Sequence, residues 1–270
     1  MSAAADGAAL ELTILGSGSA FSLVGHHAAY LVDSELLLDC GAPVVRMLAE
    51  RGRSLEELRY VVLSHLHGDH FFALSTLIAA RAGQHPQAEP LRVLGPSGTI
   101  RALEQLGDLA VGSAFWAQIL ERQGPRVEEV VPGQRVELGP FQLEAVEMVH
   151  SPALQCLGYS LEREGNRLGY SGDTELCPGI RRLAREVDYL LCECTGMNGP
   201  EPIHLWREDV EQLMAEAPRT QFILTHLSER RPVKGAVLAV DGLTLRLPRG
   251  GWGGTAPVPP DPSPPSPPGP

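Results

Sequence analysis

The sequence predicts an α/β protein, a four-layer αββα sandwich in which two sheets pack face to face with helices outside. Three observations lead there. Each half of the chain opens with closely spaced strands and then alternates strands with helices. The 270 residues are 43% hydrophobic, enough to fill a sizeable core. No apolar run reaches the length of a membrane span, so the apolar faces must find each other.

In order, an apolar strand at 10–15 runs into the tight turn Gly16-Ser17-Gly18-Ser19. Runs 28–32 and 35–39 read as a strand pair turning at Asp33-Ser34. Pro43 opens a helix to 51, with Val44, Val45, Leu48 and Ala49 at helical spacing. A buried strand at 59–63, a helix at 71–81, a strand at 91–94 and a helix at 97–106 follow; 109–123 reads as partly helical. From 127 strands dominate, at 127–131, 135–138, 141–149, 157–162 and 166–171. A helix at 179–187, a strand at 189–194, a helix at 205–217 and a strand at 220–225 come next. The closing strands, 236–240 and 243–247, are expected to form a hairpin through Asp241-Gly242. The expected division is one domain at 1–247 and a Gly/Pro/Ser-rich tail at 248–270, its last stretch, 257–270, disordered or polyproline.

Composition narrows the class. Residues 1–9 are small and polar, with no basic segment leading into an apolar one. Five cysteines are an odd number, which argues against a disulfide framework and for a reducing compartment. The expectation is a soluble cytoplasmic protein with no membrane partner. A net charge of −11 argues against large polyanions, since neutralising many phosphates takes clustered cations. It does not argue against a small phosphorylated substrate.

The most informative run is Ser64-His65-Leu66-His67-Gly68-Asp69-His70, at the junction of a strand and a helix. Three imidazoles and a carboxylate gain little from a core, whereas both are good donors to divalent metals. They read as two half-built sites sharing a loop, so further ligands should end later strands. They do: 141–149 ends at His150, Leu168-Gly169-Tyr170-Ser171-Gly172 ends at Asp173, and Phe222-Ile223-Leu224-Thr225 ends at His226.

The order His-x-His-x-Asp-His, then His, Asp and His, resembles the metallo-β-lactamase superfamily over about residues 10–247. Asp39, closing Leu36-Leu37-Leu38-Asp39, matches that superfamily's first motif. The resemblance implies a metallo-β-lactamase-like hydrolase domain at 1–247, with one divalent ion on His65, His67 and His150 and a second on Asp69, His70 and His226. Asp173 would bridge the two, and Asp39 would orient ligands without binding metal. Zn²⁺ is the expected ion, with Mn²⁺ and Fe²⁺ as alternatives. Paired ions lower the pKa of water toward about 7 and clamp the attacked group.

Within the superfamily, His67 stands where the iron proteins that reduce oxygen have Glu, so redox chemistry is disfavoured. Cys192-Glu193-Cys194-Thr195, then Pro202-Ile203-His204, and Leu224-Thr225-His226-Leu227-Ser228 resemble the ribonuclease Z branch and its phosphodiesterase relatives. Breaking a phosphodiester expels an alkoxide that a nearby imidazolium can protonate. His204 is the candidate general acid, Glu193 its orienting partner, and Asp69 counts among the catalytic residues as well as the ligands. Arg230 and Arg231 are candidate phosphate-binding residues. Cys192 and Cys194 share one face of their strand and read as core.

His150 and Asp173 lie 23 positions apart, leaving no room for the Gly/Pro-rich arm with which bacterial ribonuclease Z grips tRNA. The expected function is cleavage of a small phosphodiester (a cyclic nucleotide or cyclic phosphate) or of a single-stranded one, by metal-activated hydroxide. Structured tRNA is disfavoured as a partner. The rival readings are a tRNA 3′-end endonuclease and a lactone or thioester hydrolase. The resemblance also allows a homodimer.

Overall fold

The protein is described by a computed structural model over residues 9–252. In chain order the first half contributes β1 (Leu10–Gly16), β2 (Ala29–Val32), β3 (Leu36–Leu38), α1 (Val44–Glu50), β4 (Tyr60–Val62), the single turn α2 (Gly68–Phe71), α3 (Leu74–Gln84), β5 (Arg92–Gly95), α4 (Thr99–Val111), α5 (Ser113–Gln123) and β6 (Arg126–Glu129). The second half contributes β7 (Arg135–Leu138), β8 (Phe141–Met148), β9 (Cys156–Arg163), β10 (Asn166–Tyr170), α6 (Pro178–Glu186), β11 (Tyr189–Glu193), α7 (Arg207–Glu216), β12 (Gln221–Thr225), β13 (Ala236–Leu238) and β14 (Thr244–Leu247).

Among the described residues these strands make two seven-stranded sheets, ordered β14-β1-β2-β3-β4-β5-β6 and β13-β12-β11-β10-β9-β8-β7. Alternate side chains of each strand meet between the sheets: Leu12, Ile14, Tyr30, Leu38 and Val62 against Tyr159, Leu161, Leu168, Leu191 and Ile223. The intervening residues of the first sheet (Leu31, Leu37, Val61, Val93) pack on Leu48, Leu77, Leu103 and Trp116 of the outer helices. Those of the second (Leu190, Cys192, Phe222, Leu224) pack on Ile180, Leu183, Val210 and Leu213. Central strands buried on both faces read as near-continuous apolar runs, and the four expected layers are present.

Two hairpins use residues with positive φ, the backbone hand that matches strand twist. Asp33 (φ 50°) and Ser34 (φ 65°) join β2 to β3, and Glu164 (φ 52°) and Gly165 (φ 80°) join β9 to β10. The stretch read as partly helical, 109–123, is helical on both sides of a break at Gly112 (φ 84°).

The expected hairpin at Asp241-Gly242 does not form: β13 lies in one sheet and β14 in the other. A turn is present, closed by Leu243 N–H donating to Val240 O at 2.9 Å. However, Gly242 alone has positive φ (91°), and Asp241 does not, so the mirror-image hairpin turn is excluded. The Asp241 carboxylate instead accepts from Ser17 N (2.9 Å), Ser17 Oγ (2.6 Å) and His26 N (2.7 Å), and so anchors the loop after β1. The chain then crosses to pair β14 with β1.

Packing continues past Leu247. Tyr189 OH donates to Pro248 O (2.8 Å), and the Trp252 ring meets that of Tyr189 at 5.0 Å. The tail expected at 257–270 lies outside the described residues.

Replacing Asp241 by Ala strips three donors of their shared acceptor. The expected cost is about 2–3 kcal/mol, read as a lower urea midpoint at unchanged m-value.

Candidate metal centre

β3, β4, β10, β11 and β12 end at one edge of the sandwich, and β8 runs the same way because it is antiparallel to β9, itself antiparallel to β10. Glu193 closes β11, and Asp39, Ser64-His65, Asp173, His226 and His150 follow the other ends directly or within a few residues. Loops at strand ends can aim side chains from a rigid frame.

The side chains converge as two groups about one carboxylate. In the first, His67 Nδ1 lies 3.0 Å from His65 Nε2 and 3.1 Å from His150 Nε2. In the second, Asp69 Oδ2 lies 3.4 Å from His70 Nε2 and 3.2 Å from His226 Nε2. Asp173 Oδ2 stands between them: 3.3 Å from His70, 3.4 Å from His226, and 3.8 Å from both His65 and His150. All seven residues named from the sequence are thus brought together.

The far ring nitrogens are held by neighbours, which fixes ring orientation and leaves the inner nitrogens free. Asp39, fully buried, accepts from His70 Nδ1 (2.7 Å), Ser64 N and Oγ (both 2.6 Å) and Tyr170 OH. His65 Nδ1 meets Ser64 Oγ (3.0 Å), His150 Nδ1 donates to Ile203 O (2.7 Å), and His226 Nδ1 meets Thr195 Oγ1 (2.8 Å). Ser64, Tyr170, Thr195 and the Ile203 carbonyl were not singled out from the sequence. Thr195 carried a signal, two residues past Glu193 in a noted motif; a backbone carbonyl carries none.

At Asp173 and His70 electrostatics outweigh burial. Burial alone would neutralise Asp173, but His226, His70 and His65 outweigh it and hold the carboxyl well below its usual range. Burial disfavours charge on His70 too, and Asp173 and Asp39 reverse that. His65 goes the other way, lowered chiefly by burial and then by His70.

Within the cluster two buried atoms have no hydrogen-bond partner, His70 Nε2 and Asp173 Oδ1. His70 Nε2 faces Asp69 and Asp173 inside the cluster, and an orphan of this kind costs about 1–3 kcal/mol. A divalent cation would satisfy both, and imidazoles with carboxylates suit such an ion. The residues present therefore fit the metals that their pattern implies.

Beside the cluster, His204 Nδ1 lies 3.0 Å from Glu193 Oε1 and 3.8 Å from Asp173 Oδ2. Its ring stacks on that of His226 at 5.3 Å. Burial would lower the His204 pKa, but hydrogen bonding and charge from Glu193 raise it to about 9. Glu193 is itself fixed by Thr174 N (2.7 Å) and Thr195 Oγ1 (2.8 Å). Cys192 and Cys194 face the outer helices, away from this pair.

The two arginines expected to bind phosphate are engaged elsewhere. Arg230 Nη2 donates to Ser17 Oγ (3.1 Å) and lies 3.9 Å from Asp241, whose carboxylate draws it under the loop after β1. Arg231 pairs with Glu229 at 2.9 Å on the surface.

Residues 35–227 match the family model described as the Beta-lactamase superfamily domain, well over half of the chain. The chain belongs to that superfamily. A ribonuclease Z of Mycolicibacterium gilvum is 26% identical over 239 residues, spanning 80% of this chain and 84% of the relative. The metallo-β-lactamase fold protein YhfI of Bacillus subtilis superposes with a TM-score of 0.71 at 20% identity, covering 88% of this chain and 99% of its own. A diphosphatase of the PhnP family gives 0.70 at 18% identity, with 88% and 98% covered. With an intact His/Asp cluster in this superfamily, the chain is a metal-dependent hydrolase. No helix among the described residues is long and apolar enough to cross a membrane.

Because Asp39 fixes His70 without facing the inner cluster, Asp39→Ala should weaken divalent-metal affinity about 10–100-fold. Competition titration against a chelating dye measures this, with Asp39→Asn as the milder variant should Ala disturb folding.

Proposed function

We propose that the chain is a phosphodiesterase acting on a small or single-stranded substrate, with two divalent ions, Zn²⁺ the expected pair, as cofactors. His65, His67 and His150 would hold one ion, Asp69, His70 and His226 the other, and Asp173 would serve both. When bound, such a pair supplies hydroxide at neutral pH and positive charge against the attacked phosphate.

The observation that carries the reading is the Glu193–His204 pair at the rim of the cluster, 3.0 Å apart. An alkoxide leaving phosphorus needs a proton, and this pair stands where it can supply one. Glu193 keeps His204 charged and aims its Nδ1 edge inward, so the other edge, Nε2, is free to give the proton up. Thr195 links the two halves, meeting Glu193 Oε2 and His226 Nδ1. Asp69, through His226 and His70, keeps the second group of ligands in register.

A small substrate is favoured over structured tRNA by what lies between His150 and Asp173. That segment is a short loop and the β9–β10 hairpin, too short for a tRNA-gripping arm. The charge of −11 works in the same direction.

Chelator-stripped protein should be inactive on bis-p-nitrophenyl phosphate and regain turnover with Zn²⁺ or Mn²⁺. No metal-dependent turnover anywhere between about pH 6 and 9 would overturn the reading. His204→Ala should cost at least about 10²-fold on a 2′,3′-cyclic nucleotide, where the leaving alkoxide must be protonated. The loss should be far smaller on the nitrophenyl diester, whose leaving group needs no proton; equal losses on both would remove His204 as the acid.

pH dependence gives a further check. A group with raised pKa stays protonated to higher pH, so an acid of this kind sustains activity until pH rises through its pKa. Glu193→Gln removes the cause of the rise, and the alkaline limb of kcat/KM should move to lower pH. Bound cations act oppositely to Glu193, so the two proteins are compared with each other at equal metal loading. An unmoved limb would break the assigned coupling.

A further inference from the structure

The wall of the cleft beyond His204 carries chemistry that the metal cluster does not use. A cleft of about 540 Å³ opens between the loop after β1 and the segment 201–204, with His204, His226 and Thr195 at its floor. On one wall stand Phe21 and Leu23, each 99% exposed, and on the other Pro202 and Ile203. The exposed pair is presented by a pinned loop. Ser19 N–H donates to Leu227 O (3.2 Å), Ser22 N–H to Ser19 O (3.1 Å) and Gly18 N–H to His26 O (2.8 Å). His27 Nε2 meets Ala20 O at 3.1 Å.

Charge is equally informative. No arginine or lysine lines the cleft, and its one carboxylate is Glu201. The nearest cations in sequence, Arg230 and Arg231, are committed to Ser17 and Glu229. Beyond the His204 imidazole at its floor, a second phosphate in this cleft would meet no cationic side chain and one like charge, which nucleic-acid backbones do not tolerate without cations. A flat, uncharged group would cover Phe21 and Leu23, and aromatic side chains hold such rings by stacking.

Building on the phosphodiesterase reading, we propose that this cleft is the leaving-group subsite and that it selects an uncharged, aromatic-bearing alcohol with no further phosphate. His204 sits at its floor, where the leaving oxygen must be to receive a proton. In the step, a water oxygen bonds to phosphorus, the bond to the leaving oxygen breaks, and its electron pair stays on that oxygen. The oxygen takes the His204 proton, the proton released by water returns the site to its starting charge, and the products are a monoester and the free alcohol.

The test uses the metal-loaded protein and three methyl phosphodiesters whose leaving phenols are of similar acidity: 2-naphthyl, phenyl and 4-carboxyphenyl. The expected order of kcat/KM is naphthyl, then phenyl, then carboxyphenyl. Phe21→Ala should cut the naphthyl-to-carboxyphenyl ratio about tenfold, the scale of one lost stacking contact. Glu201→Lys should raise kcat/KM for the carboxyphenyl ester. Turnover of all three at similar kcat/KM, or a ratio indifferent to Phe21, overturns the subsite and leaves the phosphodiesterase reading standing. Absence of turnover across the series, with bis-p-nitrophenyl phosphate also inert, overturns both.

Discussion

The fully buried carboxylate of Asp39 is the interaction on which the rest of this molecule turns. It leaves the end of β3 in the first sheet, yet one of its donors is Tyr170 OH, from β10 in the second. The others are His70 and both donors of Ser64, on the loop that carries His65 and His67. A buried charge is tolerated only when saturated with donors, and four donors do that here. The same saturation locks the two sheets together at the edge where their strands end. Fold and site therefore share one anchor: what holds the sandwich closed at this edge also sets the His70 ring.

Direction of the strands does the rest. A ligand at the end of a strand is useful only if neighbouring strands end beside it, which parallel neighbours do and antiparallel ones do not. β3 and β4 are parallel, as are β10, β11 and β12, and the β9 reversal restores β8 to the same sense. Residues spread from Asp39 to His226 thus arrive at one edge, although only those of the 64–70 run are close in sequence. Asp173 can then be shared, because a single oxygen at that edge is within 3.8 Å of four imidazoles from three separate loops.

Much of this was legible in the sequence, and for an identifiable reason. Metal-ligating side chains are chemically conspicuous after apolar strands, so His65, His150, Asp173 and His226 announced themselves by type and position together. The layers were legible because strands covered on both faces are apolar at nearly every position. What escaped was set by distance rather than type. Asp241-Gly242 has the composition of a hairpin turn, but its carboxylate is claimed by Ser17 and His26, far back along the chain. Arg230 was read from its closeness to His226, and the same carboxylate draws it away. The Ile203 carbonyl that steadies His150 is a backbone atom, about which side-chain identity says nothing.

Backbone strain gives the site its stiffness. Asp39 (φ 54°), His226 (φ 53°) and Ile203 (φ 60°) all occupy the left-handed region, which is costly for residues other than glycine and most of all for a β-branched one. At about 1–3 kcal/mol each, the three would relax unless surrounding contacts over-determined them. Those contacts are the ones already described: four donors on Asp39, the Thr195 hydroxyl against His226, and the His150 ring on Ile203 O. Each of these three residues therefore either is part of the cluster or steadies a member of it. Relaxing any one would turn a donor atom away from Asp173, so the fold spends stability to keep the cluster aimed before a cation arrives. A site aimed in advance loses little ordering free energy on binding, and the same rigidity would hold His204 at a fixed height above the reacting phosphate.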